Sequence, residues 1–473
     1  MAESNNTESI ELQENTHIPS SPKRKGFSLL GQNIDKVAKT IHHGISKATE
    51  KVRDYKETHE IDKTLLVGDI LYAAMVTHAS ANTILQRIKN GNIFHPDKMN
   101  ETKEKEYPQI EMDAYGDETV FDILAGVEEK GDRKIVIITE GGAQAGSIGG
   151  GTEQGMADTS LADETITDEE ITPFDRADAT VGVSAGALIN MWIAAGCGED
   201  GLNIIDKENT QNVNLSNDPK EAATQLAKLA TGKKAPIINA GAFAQWAKST
   251  RPLNLEAIRN SKKDVWIVVT NVDTGRPEYL NMARGEVVVK NEEEEWETSR
   301  FDQTDENMLD GMTGGVNLTA GLDEKPYITM KVGETVKKYV DGGITDYLPL
   351  DFALSRGYTH ALIISNFPLN EETSLSERFI FYILAKMSEN QNVYPPRFIE
   401  ACHKLVSRKA ASIRQIKKLL DEKQHVAIIA PRKGYVDPLE RDGKFLRYII
   451  NSTRTFSRNF WTDRKKKHLE KAA

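Results

Sequence analysis

The sequence predicts an α/β fold built on a largely parallel central sheet, and two observations predict it. Short, mostly apolar runs recur at Ile135 to Ile138, Ala179 to Val183, Val265 to Thr270, Ala361 to Ser365 and Val426 to Ala430. They lack the in–out alternation of a half-exposed strand, so each suits a strand buried on both faces. Stretches with helical spacing separate them, and strands that alternate with helices pair in parallel through crossovers.

In chain order, residues 1–26 have the polar composition of a disordered leader, closed by Lys23, Arg24 and Lys25. Residues 27–106 are expected to be helical and basic. Ile34, Val37, Ala38, Ile41, Ile45, Ala48 and Val52 recur at steps of three and four, while Lys36, Lys39, Lys47 and Lys51 take the opposite face. Such a helix suits an anionic membrane surface or a packing partner equally well. Residues 107–370 carry most of the strands and form the expected main domain. Within it, 147–178 has the composition of an acidic insertion, since nine acidic residues from Glu153 to Asp178 face the single cation Arg176. An exposed loop or lid is expected over Glu153 to Asp178. A second acidic excursion, at Glu292 to Glu295, has the character of a hairpin. Residues 371–473 are expected to be helical, at Leu375 to Met387 and Arg397 to Glu422, around the last strand. They end in a stretch where Arg447, Arg454 and Arg464 mix with Phe445, Tyr448, Phe456, Phe460 and Trp461. Aromatics beside cations suit a membrane interface; a solvated basic tail is the commoner outcome.

Composition narrows the function. At 473 residues and 39% hydrophobic content the chain can bury one large core with appendages. It has no apolar run of about 18 residues, as a membrane span would need, and its polar start has no signal-peptide core. Synthesis in the cytoplasm is therefore expected. Two cysteines, Cys197 and Cys402, exclude a disulfide framework, and a net charge of −11 argues against nucleic-acid binding. His42 and His43 have no carboxylate or cysteine partners at ligand spacing, so no metal and no cofactor is expected.

The motif richest in chemistry is Gly182-Val183-Ser184-Ala185-Gly186, set between an apolar strand and an apolar helix. A nucleophile on so sharp a turn needs small neighbours, so that the chain can close and substrate can approach. The helix that follows turns its positive end toward the reacting centre. Serine must also lose its proton to a base. Two arrangements are open: a triad using His360, His403 or His425, and a dyad using an acid directly. Asp341-Gly342-Gly343, at the end of a short apolar segment, fits the dyad. Alone it would be an ordinary turn.

Four blocks, in order, resemble the patatin-like phospholipase family: the strand and glycine turn Ile135–Gly142, the elbow Gly182–Ala187, the strand and turn Val268–Gly275, and the acid block Tyr339–Leu350. The resemblance spans roughly residues 130 to 370. It implies a three-layer patatin-like fold and a Ser–Asp dyad, with Ser184 as acylated nucleophile and Asp341 as general base. It also implies an oxyanion turn at Gly141, Gly142 and Ala143. Where the family has a third glycine first and a basic residue later in that turn, this chain has Glu140 and Gln144. The implied reaction is phospholipase A-type hydrolysis of a phospholipid or related lipid at a membrane surface, through an acyl-enzyme and without a cofactor. A protein activator is compatible with the altered turn. So is an inactive patatin-like fold that binds lipid or protein, and a Ser–His–Asp esterase is the further alternative. Bacterial proteins resembling this one include effectors delivered into host cells.

Overall fold

Backbone groups buried on both sides must find partners in neighbouring strands, and the apolar runs do so. The computed structural model describes residues 107–161, 171–212, 239–318, 323–369, 392–436 and 440–472, with isolated positions at 228, 236, 381, 384–385 and 388–389. The leader, the helical region with Lys36, Lys39, Lys47 and Lys51, the His42–His43 pair and most of the expected helix at 375–387 lie outside the described residues.

Among the described residues eleven strands form one sheet: β1 Met112–Gly116, β2 Ile135–Thr139, β3 Ala179–Val183, β4 Asp264–Asn271, β5 Arg276–Asn281, β6 Glu286–Lys290, β7 Trp296–Arg300, β8 Ile328–Val332, β9 Thr335–Asp341, β10 His360–Ile364 and β11 Val426–Pro431. The order is β1-β11-β10-β2-β3-β4-β5-β6-β7, with β9 pairing both β4 and β8. From β11 to β4 the strands are parallel. Antiparallel strands extend both edges, with β1 on β11 and β5 to β7 beyond β4. The sheet is therefore mixed, and the expectation of parallel pairing holds for its centre. The acidic residues 292–295 form the turn between β6 and β7.

Helices cover both faces. Ile135 and Ile137 of β2 join one apolar cluster with helices α1 (Glu118–Leu124), α2 (Gly146–Ala157), α3 (Ala185–Ala194) and α5 (Gly443–Ala472). Val136 and Ile138 join another, with α4 (Leu405–Asp421) and the helix Leu350–Ser355. The strand period of two thus sends alternate residues to different helical layers. The helix expected over Arg397 to Glu422 is two, Pro396–His403 and α4.

Two expectations need correction. The stretch after Gly146 is no exposed loop: Gly146–Ala157 is a buried α-helix. Its glycines let α5 approach backbone to backbone. A Cβ on Gly151 would stand 2.4 Å from the Ile450 carbonyl, and one on Gly155 would stand 2.6 Å from that of Arg454. Buried contact between the helices offsets the low helix propensity of glycine. The acidic residues 162–170 lie outside the described residues. The C-terminal aromatics are the second correction. Trp461 is fully buried, and Phe445, Tyr448, Phe456 and Phe460 pack against the same cluster. Their neighbouring cations are paired: Arg447 with Asp206 at 2.6 Å, Arg454 with Glu199 at 2.9 Å and Arg464 with Asp122 at 2.7 Å. Lys466 and Lys467 are exposed. No described helix is long and apolar enough to cross a membrane.

Candidate active site

Strand β3 ends at Val183, and Ser184 turns directly into α3 with φ 52° and ψ −122°. A non-glycine residue at positive φ is strained, and such strain persists only where the surroundings hold it. Here they do. A Cβ on Gly182 would lie 2.5 Å from Ala187 Cα, and one on Gly186 only 2.3 Å from the Thr139 carbonyl. Both elbow glycines are therefore required by close backbone approach. Ser184 itself is half-buried.

Sheet register delivers the acid. Val183 pairs with Val268 of β4, and beyond the end of β3 the next residue of β4, Val269, pairs with Asp341 of β9. Strand β9 thus fills the slot that β3 vacates when the chain turns at Ser184. Gly342 presses on β4, since a Cβ there would meet the Val268 carbonyl at 2.3 Å. The buried Asp341 side chain accepts from the Gly343 amide at 2.8 Å. Burial pushes its carboxyl up to about 6, against the opposing pull of the Ser184 hydroxyl and the Gly343 amide.

The glycine turn lies across the nucleophile. A Cβ on Gly141 would be 2.8 Å from that of Ser184, so only glycine lets the turn lie this close. Gly142 has φ 143° and Ala143 φ 51°, and both are half-buried. Helix α2 starts beyond this turn and α3 starts at Ser184, so the positive ends of helices of twelve and ten residues converge here. An arrangement of this kind can stabilise negative charge developing on a carbonyl oxygen.

Two buried networks hold the turn, and the sequence did not reveal them. On one face, Thr139 donates to Glu153 at 3.0 Å. Asn190, with its amide nitrogen toward Glu153 at 2.8 Å, accepts from the Gly182 amide at 3.1 Å. Desolvation raises the Glu153 carboxyl to about 8. On the other face, Glu140 accepts from the Ser365 hydroxyl and, at 2.8 Å, from the Asn366 amide. Lys409 of α4 stands 3.9 Å from Glu140 and lies over the rings of Tyr347 and Phe367. The Asn366 side chain donates to the carbonyls of Glu140, at 2.6 Å, and Gly141, at 3.0 Å, which clamps the turn. Glu140 is thus a buried ion-pair partner at the head of the glycine turn. Gln144 is also buried, and its amide has no partner among the described residues. One signal for Lys409 was readable: it falls on the buried stripe of α4, four residues from both Leu405 and Ile413.

The three candidate histidines do not serve Ser184. His360 opens β10 and His425 precedes β11, both at the opposite end of the parallel strands, and His403 binds Glu389 at 2.7 Å. His360, His425 and Asp117 are the one group with metal-ligand spacing among the described residues. Neither a protein-family model nor a curated protein sequence matches the chain.

Proposed function

We propose that this chain is a serine acyl hydrolase of patatin-like architecture, cleaving fatty acyl esters of phospholipids or related lipids. Ser184 attacks the ester carbonyl, Asp341 takes its proton, and the amides of Gly141, Gly142 and Ala143 receive the oxyanion. Collapse of that intermediate breaks the ester bond, and the departing lipid alcohol takes the proton from Asp341. Water that Asp341 activates then cleaves the acyl-enzyme, which releases the fatty acid and returns the proton to Ser184. The observation that carries this reading is the register that sets a strained, half-buried serine beside a buried carboxyl poised near neutrality. A base with its pKa close to working pH can both take and return a proton. The lipid class rests on the four sequence blocks. Membrane approach would use the basic residues at 36, 39, 47 and 51 and the exposed Lys466 and Lys467.

Fatty-acid release from mixed phospholipid vesicles tests the reading, with and without cell lysate as a source of activator. Ser184→Ala and Asp341→Asn should each lower the rate about a thousandfold or more, as removal of members of a catalytic unit does. Wild-type kcat/KM should fall as pH drops through about 6, because protonated Asp341 cannot accept the serine proton. Full activity in Asp341→Asn would overturn the dyad. Absence of release under both conditions, with no labelling of Ser184 by a fluorophosphonate, would favour a binding protein.

A further inference from the structure

At the end of the sheet remote from Ser184, three residues distant in sequence meet. Asp117 precedes α1, His360 is the first residue of β10, and His425 stands immediately before β11. Parallel pairing of β10 with β11 brings the two histidines side by side, and the Ala361 amide donates to the His425 carbonyl at 2.8 Å. Their rings lie 4.6 Å apart, edge to face. One donor atom from each of the three residues lies within 4.8 Å of the other two, and His425 Nδ1 is 3.7 Å from Asp117 Oδ2.

We propose that Asp117, His360 and His425 bind a divalent transition metal of the zinc class. Two imidazoles and a carboxylate are a donor set for such ions, with water completing the tetrahedron. Bonds of about 2.0–2.1 Å put tetrahedral ligand atoms roughly 3.3–3.4 Å apart, so the cluster has only a short distance to close.

The surroundings already orient each ligand. The Thr359 hydroxyl donates to the Lys134 carbonyl at 3.2 Å and accepts from the Lys134 amide at 3.0 Å. It also lies 2.8 Å from Nδ1 of His360, and with Nδ1–H as the donor the lone pair on Nε2 is left for the metal. Asp117 is fixed by the amides of Thr119, at 2.9 Å, and His425, at 3.0 Å, and each carboxylate oxygen keeps a further lone pair. His425 is exposed, which gives the ion a way in.

A strand of five residues spans roughly 17 Å, so this ion would not touch the Ser184 chemistry. It would instead tie the start of α1 to the starts of β10 and β11. Binding should therefore raise the unfolding temperature as well as register in calorimetry.

The test uses the full chain, stripped with a chelator and titrated with Zn²⁺ alone. Wild type should bind an equivalent that both His425→Ala and Asp117→Asn weaken about tenfold or more. Asn caps a helix about as well as Asp, so the second variant can keep the Thr119 contact while giving up the one to the His425 amide. Each variant should lose the metal-induced rise measured against its own unfolding temperature in chelator. Co²⁺ should give a tetrahedral visible spectrum in wild type and not in the variants. Absence of stoichiometric binding by wild type, or binding unchanged in both variants, would overturn the site.

Discussion

Two buried carboxyls stand on opposite faces of the sheet beneath the same turn, and they solve the same problem differently. Glu140 faces the α4 layer and meets the Lys409 ammonium. Glu153 sits in α2 on the other face, among the hydroxyl of Thr139 and the amide of Asn190, with its carboxyl raised to about 8 by desolvation. Both are essentially without solvent exposure. Burial alone therefore does not set the state of a carboxyl; the partner does. One face of the turn is held by opposite charges, the other by a neutral acid acting in a hydrogen-bond network.

That contrast can be broken most forcefully from the charged side. Lys409→Met leaves Glu140 buried without its cation and should cost about 3–5 kcal/mol in denaturant unfolding. Adding Glu140→Gln should recover most of that loss. A double variant as unstable as the single one would show that Lys409 matters through packing instead.

The neutral side should speak through pH. With its folded value near 8 and an ordinary unfolded value of 4.5, Glu153 takes up a proton on folding between those limits. Its stabilising contribution is complete below 4.5 and is lost as pH rises to about 8, at up to about 1.4 kcal/mol per pH unit. Glu153→Gln should remove that slope, so the variant gains on wild type across the window. Parallel stability profiles would mean that Glu153 is ionised in the folded state. The smallest effect is expected from Thr139→Val, which removes one hydrogen bond to the acid and should cost about 1 kcal/mol in thermal unfolding.

What could be read beforehand depended on whether the signal was local. Strand β3, the turn at Ser184 and the start of α3 follow from contiguous residues, and so does the approach of β9 to Asp341. The buried runs announced β2, β4, β10 and β11 for the same reason. Helix α2 was hidden because its glycines, averaged with the acids that follow it, indicate a loop. Its stability comes from α5, whose Thr453 and Ser457 fit against Gly151 and Gly155. The aromatics of α5 were misjudged by the same omission, since a pattern of rings and cations cannot say which surface they cover. The Asp117–His360–His425 cluster was beyond motif reading altogether, because only the pairing of β10 with β11 assembles it.

The dependence of α2 on α5 has a consequence for how the protein comes into being. The ion-paired residues Asp158 and Arg454 are 296 positions apart. At about 5–20 residues per second, a ribosome takes roughly 15–60 s to cover that interval. For most of it Ser184 has already been made, while the helix that follows the glycine turn lacks its packing partner. On the proposed reading the nascent chain therefore passes through a silent period, and a lipid-cleaving enzyme is withheld from its own cell's membranes until α5 has been translated.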